Sequence, residues 1–133
     1  MMQERWSWAA GICKRWETVK GPDGRIMDAI ISPATPHAGA EHDKFGKHVG
    51  YTGVWNLMDF SAGTVPILKA DSMLDAKEPH LPSSFHNADD ETVWNNYSAQ
   101  KVTGLPVGLQ IVAKRLEEEK LLAMMEIVAN VMK

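Results

Sequence analysis

Between Gly104 and Arg115 the chain reads Gly-Leu-Pro-Val-Gly-Leu-Gln-Ile-Val-Ala-Lys-Arg. A glycine and proline turn feeds an apolar run, and a charged helix start follows at once. Glycine opens dihedrals that cost other residues dearly, while proline fixes φ and removes a donor. Leu109 to Ala113, apolar and β-branched, suits a strand buried on both faces. Past Leu116 the apolar spacing becomes helical, with Leu121, Met125, Val128 and Met132 in one stripe, widened by Leu122, Met124 and Val131. Glu117, Glu118 and Glu119 sit at its start and Lys133 at its end, the order the helix dipole favours. The apolar face of this helix is expected to cover the sheet containing Leu109–Ala113. A buried strand running straight into an amphipathic helix is part of a layered α/β structure, not a finished domain.

The length, 133 residues, leaves room for one modest domain. A net charge of -3 gives no general electrostatic reason to bind nucleic acid or an anionic membrane. Cys13 is the only cysteine, so no internal disulfide forms, and a metal site would have to draw on histidines and carboxylates. No signal peptide and no membrane-spanning run is apparent, and a cytoplasmic protein is the expectation. Five tryptophans and eight methionines are a heavy apolar load for this size. Without a core to receive them they become exposed patches, the mark of an interface or a missing part.

Gln3 to Val19 reads as a helix with Trp8, Ile12, Trp16 and Val19 on one face, stopped by Lys20-Gly21-Pro22-Asp23-Gly24. Arg25 to Ser32 reads as a strand closed by Pro33. Asp28, just inside it, is better placed to meet a turn amide or a basic partner than to catalyse. Ala34 to Val49 is a loop rich in Pro, Gly and His. Tyr51 to Met58 reads as a short helix with Tyr51, Val54, Trp55 and Met58 on a shared face, broken by Asp59 to Gly63. Thr64 to Leu68 is a short strand in which Pro66 marks an end or a bulge. Ser61, Ala62 and Gly63 are small enough for a neighbour to approach closely. Structural hydrogen bonding is the expected role of Asn56 and Asp59. Lys69 to Ala99 is an extended excursion that should cover something or form a wall, with a short helix opened by Asp89, Asp90 and Glu91.

The chemistry is conspicuous by what it lacks. There is no Gly-x-Ser-x-Gly, no Walker-type loop and no dinucleotide fingerprint. Gly104 to Gly108 precedes a strand, the wrong order for a phosphate at a helix start. Ser83 and Ser84 stand near Lys77 and His86, but no tight turn presents either hydroxyl. His37, His42 and His48 would support a small metal hydrolase only if Glu41 and Asp43 folded back onto them, and their spacing is not that of a helical zinc motif. No cofactor is implied. On the residues alone the chain reads as a non-catalytic module.

Several blocks, in order and at matching spacing, resemble the carboxy-terminal region of the amidase signature family, in particular its fungal acetamidase-like or general amidase branch. One is Pro36-His37, then His42-Asp43-Lys44, then Gly50-Tyr51-Thr52-Gly53-Val54-Trp55-Asn56-Leu57-Met58-Asp59-Phe60-Ser61-Ala62-Gly63-Thr64-Val65-Pro66. The other is Gly104-Leu105-Pro106-Val107-Gly108-Leu109-Gln110. Asp28 through Pro33 also matches a strand that ends in proline shortly before the first block. Phe60 and Ser61 stand where many relatives have Tyr and Pro. The motif residues carried by the resemblance are Asp59, Gly63, Pro66, Gly104, Pro106, Gly108 and Gln110.

The resemblance implies a large mixed sheet flanked by helices, of which residues 1–133 form one incomplete part, with the excursion at about 69–99 as its loosest region. It implies hydrolysis of carboxamides by a serine nucleophile, a second serine at a cis peptide and a lysine, none of which has a match here. Ser61, Ser83 and Ser84 do not fit that motif. Residues 1–133 would contribute sheet, outer helix and a pocket wall around Tyr51, Thr52, Trp55 and Asn56. The amide substrate would be met only in the full-length enzyme, and the packing partner would be the remainder of the fold or a relative. The competing expectation is a non-catalytic binding or regulatory module that associates with a full-length relative.

Overall fold

The computed structural model describes residues 2–42, 44, 49–77 and 84–132. A central strand organises it. In chain order the elements are α1 (Met2–Thr18), β1 (Ile30–Pro33), α2 (Gly53–Met58), β2 (Ser61–Lys69), α3 (Ala88–Asn96), α4 (Ala99–Val102), β3 (Pro106–Ala113) and α5 (Glu118–Val131). The three strands form one sheet in the order β1-β3-β2, with both pairings antiparallel. Central position explains why β3 lacks the polar alternation of a half-buried strand: Gln110, Ile111, Val112 and Ala113 are all buried.

Alternate residues of β3 feed two separate cores. Val112, flanked by Ile30 and Ala62, joins Ala9, Trp16, Met58 and Phe60 on the side covered by α1 and α2. Ile111 and Ala113 face the other way and join Val65 and Leu121 beneath α5. The terminal helix therefore covers the sheet with Leu121, Met125 and Val128 of the expected stripe facing it, but the inner face is narrower than expected. Met124, Met125, Val128 and Ala129 pack against the core beside Leu121, while Leu122 is 64% and Val131 78% exposed, and Met132 is exposed as well. Lys133 lies outside the described residues. In α1, Ile12 and Trp16 of the expected face turn inward with Ala9 and Cys13, while Trp8 is 69% exposed. Val19 falls beyond the helix end and is exposed too. In both helices the apolar residues outnumber the positions a single stripe can bury, so periodicity alone does not set the edges of the inner face.

The strand limits also differ from expectation. β1 holds only four residues, because the segment before it is tied up elsewhere: Lys20 and Ile26 form an isolated antiparallel bridge, and Gly21 donates to the Arg25 carbonyl at 2.8 Å. β2 starts at Ser61, so the small residues read as a break are strand, paired with Ala113, Val112 and Ile111. Pro66 marks the irregularity anticipated for it, a register shift between Pro66 and Leu68. Within the excursion, α3 begins at an Asn87 cap whose side chain accepts from the Asp90 amide, and α4 is an additional helical turn.

The glycines divide into two kinds. A Cβ on Gly63 would meet the Met125 sulfur and lie 2.9 Å from Met125 Cε, so this glycine lets α5 settle onto β2. A Cβ on Gly108 would lie 2.8 Å from Thr64 Cγ2 on the neighbouring strand. Gly104 has open space around it but φ of +83°, the left-handed region. Alanine at either position is expected to destabilise the chain by about 1–2 kcal/mol, for different reasons. Thr64→Ser should recover the Gly108→Ala loss and leave the Gly104→Ala loss unchanged, as urea unfolding of the four variants would show.

Candidate functional site

The α2 wall is positioned from the sheet. The Gln110 side chain, 3% exposed, donates from Nε2 to the Tyr51 carbonyl at 3.0 Å and to Ser32 Oγ at 3.2 Å. One amide on the central strand thus holds both the edge strand β1 and the turn leading into α2. At the far end of α2, Asp59 takes the left-handed conformation (φ 61°, ψ 38°), and its amide bonds back to the helix carbonyls. Its carboxylate pairs with Arg115 Nε at 2.8 Å and Arg5 at 3.7 Å, and both guanidiniums lie about 5 Å from the Trp6 ring centre. This cluster fastens α1, the α2–β2 turn and the β3–α5 turn together.

The four wall residues are not equivalent. Trp55 turns inward, stacked on Phe60 at 6.3 Å with its indole Nε1 buried and lacking a hydrogen-bond partner among the described residues. Tyr51, Thr52 and Asn56 are exposed on the surface of the α2 segment. None of the four lines the cleft of about 550 Å³ enclosed by the proline-rich loop and the excursion. Asn56 is exposed, and its main-chain carbonyl accepts from the Asp59 amide at 3.2 Å at the helix end.

That cleft, about 550 Å³, lies at the other end of the sheet. The proline-rich loop after β1 (Pro33 to Ala38), the sheet ends at Leu68 and Val107–Leu109, and the excursion residues Asp75, Asp90, Val93, Trp94 and Tyr97 enclose it. The excursion does form a wall. Tyr97 donates its hydroxyl to the Asp75 carbonyl at 2.7 Å and lies 5.9 Å, ring to ring, from His37. Burial, and secondarily the Asp75 charge, pushes the Tyr97 hydroxyl above its usual range. The cleft has a faint trace in the sequence, since Trp94 and Tyr97 sit one helical turn apart behind an acidic start, and proline punctuates the opposing loop.

Elsewhere the charged groups are structural. Asp28 accepts from Lys120 at 3.0 Å, and that bond holds its carboxyl below the usual range. Glu41, bonded to Lys101 at 2.7 Å and Lys44 at 3.1 Å, is lowered likewise. Among the described residues no three His, Cys, Asp or Glu side chains gather into a group that could hold a metal, and His48 and Asp43 of the histidine loop lie outside them, as does Ser83. Among the described residues no helix is long and apolar enough to cross a membrane.

The segment is a three-stranded antiparallel sheet with helices on both faces, and the Amidase family model matches residues 4–122. The chain belongs to the amidase family. It is 34% identical to an acetamidase of Emericella nidulans over 129 residues, covering 97% of this chain and 23% of the relative. With Amidase 1 of Gibberella moniliformis it shares 36% over 112 residues, 80% of this chain and 20% of the relative. Among solved structures it superposes on a fatty acid amide hydrolase with a TM-score of 0.73 at 21% identity, covering 98% of this chain and 21% of that one. Residues 1–133 thus span about a fifth to a quarter of these proteins and correspond to their carboxy-terminal region. The expected fold, the carboxy-terminal portion of the amidase signature architecture, is the one observed.

Proposed function

We propose that these residues are the carboxy-terminal segment of an enzyme that cleaves carboxamides to a carboxylic acid and ammonia or an amine. They supply sheet, outer helix and, through Tyr51, Thr52, Trp55 and Asn56, part of the pocket wall. The serine, serine and lysine that perform the chemistry belong to the remainder of the fold. The observation that carries this reading is the near-complete match of the chain to only 23% of an acetamidase. Catalysis of acyl transfer needs a nucleophile, a base and oxyanion donors held together. Purified Met1–Lys133 incubated with acetamide and with a longer aliphatic amide is expected to release ammonia no faster than buffer. Saturable release that survives repurification would overturn the reading.

The exposed apolar side chains favour a second reading as well. Trp8 on α1, Leu57 on α2 and Leu122, Ile127 and Val131 on α5 are all exposed, as on surfaces shaped to be covered. A non-catalytic module docking onto a full-length relative would use the same faces. Co-elution of the chain with such a relative in size-exclusion chromatography would support it, and unchanged elution of both would reject it.

A further inference from the structure

The cleft between the proline loop and α3 is separate from the α2 wall, and its lining has a pronounced chemical bias. Its walls are mainly apolar, and among the described residues its acidic side chains are Asp75 and Asp90, with no lysine or arginine in the lining. Among the described residues each carboxylate accepts an amide, Asp75 from Asp71 at 2.8 Å and Asp90 from His86 at 3.1 Å. An ionised carboxylate has about four acceptor positions, so each keeps capacity for a donor from a ligand. Aromatic surface stands beside them in Trp94, Tyr97 and His37. One of these rings already carries a cation: Lys77 Nζ lies 5.0 Å from the Trp94 ring centre and donates to the Trp94 carbonyl at 2.6 Å. An ammonium group is thus already held against that indole.

We propose that this cleft is a binding site for a primary ammonium ion carried on an aromatic or aliphatic body. The apolar walls take the body, the ring faces and the two carboxylates take the charge, and a carboxylate ligand of the same shape is repelled. Aromatic faces and acid groups acting together are the means by which alkylammonium ions are recognised. The cleft volume, about 550 Å³, is within the range of small-molecule sites and well above what an arylalkylamine fills.

Isothermal titration of Met1–Lys133 with 2-phenylethylammonium, 2-phenylethanol and 3-phenylpropanoate tests the site. Saturable binding of the ammonium is expected, with the neutral alcohol weaker by roughly fivefold or more and the carboxylate not bound at about 10 mM. Asp75→Asn with Asp90→Asn keeps an acceptor oxygen for each structural amide while removing both charges, and should weaken ammonium binding by roughly tenfold. Circular dichroism of that variant confirms that the fold is retained. Lys77→Met, which frees the Trp94 ring of its resident cation, should tighten binding. Equal affinity for the alcohol and the ammonium, binding of the carboxylate, or no effect of the paired Asn substitutions would each overturn the proposal. None of these outcomes bears on amide cleavage, which is measured by ammonia release.

Discussion

Trp16→Ala is expected to destabilise the chain by about 3–5 kcal/mol, the range for truncating a large buried aromatic. Trp16 is 2% exposed and is the largest of the fully buried side chains. It meets Phe60 edge to face at 5.9 Å, and its indole donates to the Met27 carbonyl at 2.5 Å. Removing it opens a cavity between α1 and the sheet, loses a favourable aromatic contact and strands a carbonyl in the segment before β1. The loss should be confined to one side. Val65, Ile111, Ala113 and Leu121 form their own cluster beneath α5, so amides of β2 and β3 should stay protected in hydrogen exchange after those of α1 have opened. Trp8→Ala on the same helix is expected to change stability by less than about 0.5 kcal/mol, because Trp8 is mostly exposed. Urea unfolding and hydrogen exchange of the two variants would check this contrast, and similar losses for both would contradict the packing described.

How much of this was legible in the residues depends on how many solutions each pattern admits. β3 admits one. Gly104 and Pro106 set its entry, and an uninterrupted apolar run after Gln110 can only be a strand covered on both sides. Element positions were readable for the same reason at α2, β2, α3 and α5. The edges of the inner faces of α1 and α5 were not, since Trp8 and Leu122 are as apolar as the residues that ended up buried, and the sheet decides between them. The shortness of β1 was hidden because a hairpin-like bridge at Lys20 and Ile26 competes for the residues that would extend it. The cleft was the least legible feature. It is assembled from segments that are far apart in the chain, and no local pattern reports a volume enclosed between a proline loop and a helix. The exposed tryptophan and methionine, by contrast, follow directly from composition: the described core has too few places to hold them.

Gln110 is where the central strand and the proposed pocket wall meet, and Gln110→Leu is expected to cost about 1–3 kcal/mol. Leucine fills much the same volume, so the loss measures the two hydrogen bonds rather than a void. The bonds are unequal in consequence. The Tyr51 carbonyl, held at 3.0 Å, belongs to the turn that brings α2 onto the sheet, whereas the Ser32 hydroxyl at 3.2 Å can rotate to another partner. Ser32→Ala should therefore cost less than Gln110→Leu. Gln110→Glu separates polarity from donation. Its carboxylate would be buried facing a carbonyl oxygen, which disfavours the ionised form and raises its pKa in the folded state above the unfolded value. The sign follows from proton linkage: a group with raised folded pKa is tolerated best when protonated, so the Gln110→Glu defect should shrink as pH falls toward the ordinary glutamate range and grow above it. Unfolding transitions of the two variants across that range decide the matter. A pH-independent loss in Gln110→Glu, or a Ser32→Ala loss as large as that of Gln110→Leu, would mean that Gln110 is not what holds the α2 turn against the sheet. The α2 segment would then owe its position to Asp59 and its two arginines, at the far end of the helix.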